Sequence, residues 1–184
     1  MNRLDTPLPG ACILEPKVVA DDRGWFYESW NQRTLAGLGI DAAFVQDNHS
    51  CSRRGVLRGL HWQAGAAAQG KLVRCVHGAV FDAIVDLRRA SPGYGRWFGT
   101  QLDAVNRRQL WIPPGFAHGF LALSEHAEVC YKTTSGWSRE AERGLRWDDP
   151  GVAIAWPDAG SAPQLHPRDA AFPTLDRLAP GDVF

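Results

Sequence analysis

The run Lys71-Leu-Val-Arg-Cys-Val-His-Gly-Ala-Val-Phe-Asp-Ala-Ile-Val-Asp-Leu87 decides the fold. From Ala79 to Leu87, the residues Val80, Asp82, Ile84 and Asp86 alternate with Phe81, Ala83, Val85 and Leu87, which is the two-residue period of a β-strand. This strand follows Lys71 to Val76 across His77-Gly78, which reads as a tight hairpin turn. Outward from it, β-like runs recur roughly every ten residues. They are Gly10 to Pro16, Trp25 to Trp30, Ala43 to Ser50, Trp97 to Leu102, Gln109 to Ile112, Gly119 to Ala122, Val129 to Thr134 and Gly144 to Trp147. Only Gln32 to Leu38 and the stretch near Asp103 to Arg108 suggest short helices. Helix and strand do not alternate, so a parallel βαβ sheet is disfavoured and a mostly β sandwich or barrel is expected.

A chain of 184 residues suits one domain spanning 1–184, with residues 151–184, punctuated by Pro157, Pro163, Pro167, Pro173 and Pro180, as an irregular C-terminal wrap. Lys and Arg total 20 against 20 Asp and Glu, which argues against a basic nucleic-acid binder and against an acidic tail. Of the cations 17 are Arg and three are Lys. Arg suits forked contacts to phosphate or carboxylate, and GC-rich coding gives the same bias; composition does not separate the two. Cys12, Cys51, Cys75 and Cys130 form no C-x-x-C pair, the N-terminus lacks a signal-peptide core, and no apolar run approaches the length of a membrane span. A cytoplasmic protein with free thiols and no membrane partner is expected.

Two segments concentrate the chemistry. Gly55-Val-Leu-Arg-Gly-Leu-His61-Trp-Gln63 and Ile112-Pro-Pro-Gly-Phe-Ala-His118-Gly-Phe120 each place one histidine just after glycine, among apolar neighbours. A lone histidine on an apolar face is commonly structural; two in matching contexts weaken that reading. The segments resemble the two cupin motifs, G-x5-H-x-H and P-x-G-x2-H. Metal-binding cupins draw His, His, Glu and His from this pattern. Here Gln63 stands at the second His and Ala66 to Gly70 stand where the Glu would fall, so the ligand set is broken and no metal is expected.

With Asp22-Arg-Gly-Trp-Phe-Tyr-Glu28, Gln46-Asp-Asn-His-Ser-Cys-Ser52, Gln69-Gly-Lys-Leu-Val73, VDLRRASPGYGRW, LWIPPGFAHGFLALSE and YKTTSGW, the chain resembles the dTDP-4-dehydrorhamnose 3,5-epimerases from about residue 10 to 176. That resemblance implies a cupin-type jelly roll (double-stranded β-helix) with a few short helices, no cofactor, and epimerisation at carbons 3 and 5 of a dTDP-4-keto-6-deoxysugar. It implies His61 as general base paired with Asp169, Tyr131 as acid on the opposite sugar face, and Lys71 at the enolate oxygen. Arg23, Arg58 and His118 would serve the diphosphate region, Glu28, Gln46, Asn48, Glu142 and Arg168 would be further substrate contacts, and Phe26 and Trp137 would flank thymine. It also implies a homodimer in which the segment around Arg23 to Glu28 crosses to the neighbouring subunit.

The chemistry needs such groups. A proton beside a ketone leaves because its electrons delocalise onto the carbonyl oxygen; the site needs a near-neutral base, a cation or hydrogen-bond donor at that oxygen, and an acid across the ring. Imidazole, phenol and ammonium suit these roles. Read without the resemblance, Asp169 is a solvated turn residue, Tyr131 and Phe26 are core aromatics, and Glu142 is a loop charge. Strand parity makes one demand: Arg58 and His61 lie on opposite faces of an ideal strand, so both reach one pocket only if Gly59 allows a bend or bulge. Tyr131 shares a face with Val129 and Thr133, and Lys132 points the other way. The Ala-rich loop before Lys71 is expected to be loose, which bears on where Lys71 stands. Cys75, His77 and His126 are read as structural. The rival readings are a single-position epimerase, a metal-dependent cupin oxygenase and a catalytically silent sugar-binding cupin.

Overall fold

In the computed structural model, which describes residues 1–184, the chain opens with β1 (Asn2–Asp5), β2 (Cys12–Glu15), the short β3 (Val19–Asp21) and β4 (Gly24–Phe26), then helix α1 (Gln32–Gly37). There follow β5 (Gln46–Arg53), β6 (Leu57–Gln63), β7 (Lys71–His77), β8 (Ala79–Asp86), β9 (Trp97–Asp103), β10 (Gln109–Ile112), β11 (Phe116–Ala122), β12 (His126–Thr133) and β13 (Glu142–Gly144), and a short helix α2 (Pro167–Ala170) in the tail. A six-stranded sheet in the order β1-β2-β10-β7-β12-β5 faces a five-stranded sheet in the order β13-β6-β11-β8-β9, and β3-β4 stand apart as a two-stranded hairpin. All pairings between named strands are antiparallel, and the chain is the expected cupin-type jelly roll.

The main core lies between the sheets. Ile13, Val73, Leu110 and Val129 from one sheet meet Val80, Ile84, Leu102 and Phe120 from the other. The outer face of the five-stranded sheet is covered by the tail, whose Val152, Trp156 and Leu178 pack on Leu60, Trp62 and Val85. The outer face of the six-stranded sheet is covered near its start by α1, whose Leu35 meets Leu14, Leu72 and Trp111. Asn31 caps α1, its side-chain oxygen accepting from the Arg33 and Thr34 N–H groups.

Several sequence expectations change. His77-Gly78 is not a hairpin turn: β7 pairs with β10 and β12, whereas β8 pairs with β9 and β11, so the reversal at Gly78 (φ 70°) carries the chain from one sheet to the other. A tight turn specifies a change of direction, and here burial of Val73 and Cys75 against Val80 and Ile84 puts the two strands face to face. The stretch near Asp103 to Arg108 is not a helix. The Asp103 carboxylate accepts from the Val105 and Asn106 N–H groups and the Asn106 side-chain Oδ1 from that of Arg108, so side chains take donors a helix would use. The run Trp25 to Trp30 forms strand only to Phe26, and Gly144 to Trp147 is replaced by the earlier β13.

Candidate functional site

A cavity of about 790 Å³ opens between the two sheets. The six-stranded sheet lines it with Gln46, Asn48, Lys71 and Tyr131, and the five-stranded sheet with Arg58, His61, His118 and Glu142. Trp137 comes from the loop after β12, and Arg168 and Asp169 come from α2. Eleven side chains chosen from the sequence therefore converge on one space.

The bulge that parity demanded is present. Across β11–β6 the register runs from His118 opposite His61 to Phe120 opposite Arg58, two steps on one strand against three on the other. Gly59 is the extra residue, with φ 130°, and the Gly59–Leu60 peptide is cis. Leu57 and Leu60 consequently both face outward, and Arg58 and His61 both face the cavity. A Cβ at Gly59 would lie 2.6 Å from the Gly119 Cα, so the close approach of β6 and β11 admits only glycine.

Asp169 is positioned by the same irregularity. The Gly59 N–H, turned out of the strand ladder, donates to Asp169 Oδ2 at 3.2 Å, while Asp169 Oδ1 lies 3.0 Å from His61 Nε2. The residue that reads as a solvated turn aspartate is 4% exposed. Burial by itself would raise its carboxyl, but the His61 hydrogen bond and charge, the Gly59 N–H and Arg168 together hold it below the usual carboxylate range. An ionised carboxylate only accepts, so Nε2 carries the imidazole proton and Nδ1 keeps its lone pair. The Phe172 ring stands edge-on to His61 at 5.6 Å between centroids and fixes the imidazole plane.

Lys71 is buried, and its Nζ donates to the His61 carbonyl oxygen at 3.2 Å. Burial lowers its pKa to about 8, against the opposing pull of the Asp82 and Glu142 carboxylates. The loop before it is not loose: Gly65–Ala67 form a turn of 3₁₀ helix, and the Ala67 and Ala68 carbonyls are both held by side chains. His118 is buried with Nε2 3.0 Å from both oxygens of Asp82, and burial holds its pKa below the ordinary histidine value although Asp82 pulls the other way. Tyr131 faces these groups from β12, and burial raises its phenol, partly offset by Arg58. Lys132 points outward to Asp47 at 2.6 Å, as parity requires.

At the other end of the cavity Gln46 Oε1 accepts from the Trp137 N–H at 2.9 Å, and Gln46 Nε2 donates to the Asn48 side-chain oxygen at 2.9 Å. Trp137 is 59% exposed. Arg58 is held by Ser52 Oγ at 3.0 Å and the Cys51 carbonyl at 3.2 Å. Glu142 and Arg168 are partners of one another, joined by two hydrogen bonds of 2.8 and 3.2 Å at the rim.

Three chosen residues lie elsewhere. Arg23 is on the β3-β4 hairpin, paired with Asp21 at 2.6 Å, and Phe26 is 73% exposed on the same hairpin. Glu28 accepts from Asn31 Nδ2 and Thr34 Oγ1, both at 2.9 Å. Conversely, sequence reasoning gave no role to Asp82, Phe172 or Ser50, and read Gln63 only as the break in the metal-ligand set. Asp82 did leave a signal: it alternates in phase with Val80 and Ile84, so a carboxylate on a core-facing register needed a buried partner. Ser50 lines the cavity with a buried hydroxyl that bonds to no protein group. No group of three or more His, Cys, Asp or Glu side chains is placed to hold a metal ion, and no helix is long and apolar enough to cross a membrane.

Comparison with known proteins agrees with this geometry. The family model described as dTDP-4-dehydrorhamnose 3,5-epimerase matches residues 5–177. The dTDP-4-dehydrorhamnose 3,5-epimerase of Salmonella typhimurium strain LT2 is 53% identical over 175 residues, covering 95% of each chain. The solved dTDP-6-deoxy-D-glucose-3,5-epimerase of Legionella pneumophila Philadelphia 1, in complex with dTDP-4-keto-L-rhamnose, superposes with a TM-score of 0.95 at 45% identity, covering 99% of this chain and 96% of that one. A 3'-monoepimerase from Streptomyces bikiniensis in complex with dTDP-quinovose is also similar, with a TM-score of 0.87, 34% identity and coverage of 93% and 86%.

Proposed function

The chain belongs to the dTDP-4-dehydrorhamnose 3,5-epimerase family, and from that premise we propose how its cavity carries out the reaction. The protein is an isomerase of that type, converting dTDP-4-keto-6-deoxy-D-glucose to dTDP-4-keto-L-rhamnose in dTDP-L-rhamnose biosynthesis. The observation that carries the mechanism is the division of labour between the sheets: the His61–Asp169 pair on one wall, Tyr131 on the facing wall, and Lys71 bonded to the His61 main chain.

His61 Nδ1 takes the proton from the carbon beside the ketone, and the C–H electron pair moves into the carbonyl, forming an enolate. The new positive charge on the imidazole is steadied by Asp169. Lys71, with one N–H on the His61 carbonyl, has two more for the enolate oxygen. The enolate collapses by taking the phenolic proton of Tyr131 on its opposite face, which inverts the carbon; solvent returns a proton to Tyr131 and removes one from His61. Repetition at the second carbon completes the double inversion. His118, kept neutral by burial beside Asp82, adds a hydrogen-bonding group to this wall without a second cation near Lys71.

Arg58 supplies a cation for the diphosphate, Gln46, Asn48 and the Glu142–Arg168 pair are further substrate contacts, and Trp137 flanks the thymine. Arg23, Phe26 and Glu28 are assigned to the neighbouring subunit's cavity in a homodimer that exchanges the N-terminal strand segment. In support, β3-β4 pair with no other sheet and expose Val19, Trp25 and Phe26 at 58%, 58% and 73%. Residues 1–184 act as one jelly-roll domain in the cytoplasm, without cofactor, membrane or nucleic-acid partner.

The test is incubation of dTDP-4-keto-6-deoxy-D-glucose with the enzyme in D₂O, followed by NMR at carbons 3 and 5. Deuterium at both is expected. Deuterium at one carbon alone assigns a single-position epimerase, and none at either removes this mechanism.

A further inference from the structure

Gln63 follows His61 by two residues on the inward face of β6 and is 2% exposed. It spends its whole amide on the backbones of two loops. Nε2 donates to the Ala67 carbonyl at 2.7 Å and to the Gly136 carbonyl at 3.0 Å, while Oε1 accepts from the Ser138 N–H at 2.5 Å. A primary amide provides two donor hydrogens and an acceptor oxygen, and all are matched here. Glutamate would set an oxygen against two carbonyls; methionine, of similar length, would leave both carbonyls and the N–H without this partner.

The loops so joined also meet at their far ends, where the Thr134 N–H donates to the Gly70 carbonyl at 3.0 Å and the Gly70 N–H to Thr134 Oγ1 at 2.8 Å; Gln63 ties their middles. The segment Ala64-Gly-Ala-Ala-Ala68 carries no side chain able to hydrogen-bond, so its place is set through its main chain: the Ala64 N–H donates to the Ala141 carbonyl at 2.9 Å, and the Ala67 and Ala68 carbonyls accept from side chains. Ser135 Oγ takes those of Ala67 and Ala68 at 2.8 and 3.1 Å, and Gln69 Nε2 returns a bond to the Ser135 carbonyl at 2.7 Å. Trp137 sits in the second loop between two glutamine oxygens: its own N–H goes to Gln46 on the six-stranded sheet, and the next N–H, of Ser138, goes to Gln63 on the five-stranded sheet.

We propose that Gln63 is a positioning residue for nucleotide recognition, its amide latching loops 64–70 and 134–138 together and setting where the Trp137 ring meets the base. This rests on the reading of Trp137 as a thymine-stacking residue. Gln63 makes no hydrogen bond to His61, Asp169 or Lys71, and Lys71 Nζ is held separately by the His61 carbonyl, so loss of the Gln63 amide acts chiefly on binding rather than on proton transfer.

The experiment measures dTDP affinity by calorimetry and steady-state kinetics for the intact enzyme, Gln63→Met and Gln63→Glu. In Gln63→Met the Kd for dTDP and the KM should each rise by about tenfold with kcat little changed, and Gln63→Glu should be at least as weak. A wild-type enzyme that does not bind dTDP removes the nucleotide reading itself, whatever Gln63 does. A wild type that binds dTDP beside a Gln63→Met that binds equally well, or loses only kcat, overturns the proposal. If Gln63→Met does not fold, Ser135→Ala releases the same loop without altering the strand; KM should then rise by about threefold, and an unchanged KM overturns the proposal.

Discussion

The Lys71 ammonium donates to the main-chain carbonyl of His61 at 3.2 Å, across the gap between two different sheets. The buried cation is therefore located by the backbone of the residue that removes the substrate proton. A shift of β6 moves base and cation together.

Lys71→Met should slow epimerisation by about 10²–10³-fold, the usual cost of losing a charge-stabilising donor, yet raise Tm by a few degrees. Burial lowers the folded pKa to about 8 from the ordinary 10.5. Between those values the unfolded chain binds more protons than the folded one, so stability rises with pH there, and below about 8 the buried charge is a standing cost. Thermal melts at pH 7 decide the point; a lower Tm in Lys71→Met removes the argument.

The same depressed value predicts an alkaline fall in kcat/KM centred near pH 8, as free enzyme loses the Lys71 proton. Lys71→Arg keeps its charge at every accessible pH. In that variant the limb should disappear from the profile even if the rate is low, and its persistence assigns the limb to another group.

Asp169→Asn should lower kcat by up to about 10⁴-fold, as loss of the orienting carboxylate does in a serine-protease triad, with dTDP affinity little changed. Because the folded carboxyl titrates below its ordinary value, its stabilising contribution is complete above the unfolded carboxylate pKa and is lost as pH falls through the lower folded one. Urea melts across the acid range should show a gap between wild type and Asp169→Asn that closes at the acid end.

Tyr131→Phe separates exchange from inversion. Without the phenol, His61 can still remove a proton and return a solvent-derived one to the same face. Deuterium wash-in should persist in Tyr131→Phe while conversion to the L-sugar falls sharply. Equal loss of both would make Tyr131 part of deprotonation or binding.

Gly59→Ala should cost about 3 kcal/mol or more of stability, because φ is 130° and the added methyl meets Gly119 Cα at 2.6 Å and the His118 carbonyl at 2.9 Å. Urea denaturation measures it; a loss below about 1 kcal/mol means the backbone relaxes and the bulge is not confined to glycine.

Parity arithmetic on Arg58 and His61 was enough to locate the bulge, because a two-residue period leaves no other way to bring both into one cavity. It could not reveal that the extra residue also supplies the N–H that holds Asp169, since the dyad partners lie 108 positions apart and carry no local signal of one another. The reversal at Gly78 was misread for a related reason: turn chemistry fixes direction, whereas sheet membership is settled by which side chains bury against each other. Asp103 to Arg108 failed as a helix because Asp103 and Asn106 bind their own backbone. Arg23, Phe26 and Glu28 were legible only as a motif, and within one chain they lie outside the cavity.

Lys71 and Tyr131 hang from the six-stranded sheet, and His61, His118 and Glu142 hang from the five-stranded one. The spacing between acid and base is thus the thickness of the sandwich, set by Val73, Val80, Ile84, Phe120 and Val129 packed beneath them. These aliphatic residues serve as a gauge block for the reaction. Trimming or enlarging one changes the length over which a proton must be delivered, so a substitution buried in the hydrocarbon interior would present as a kinetic defect in an enzyme whose polar groups are all intact.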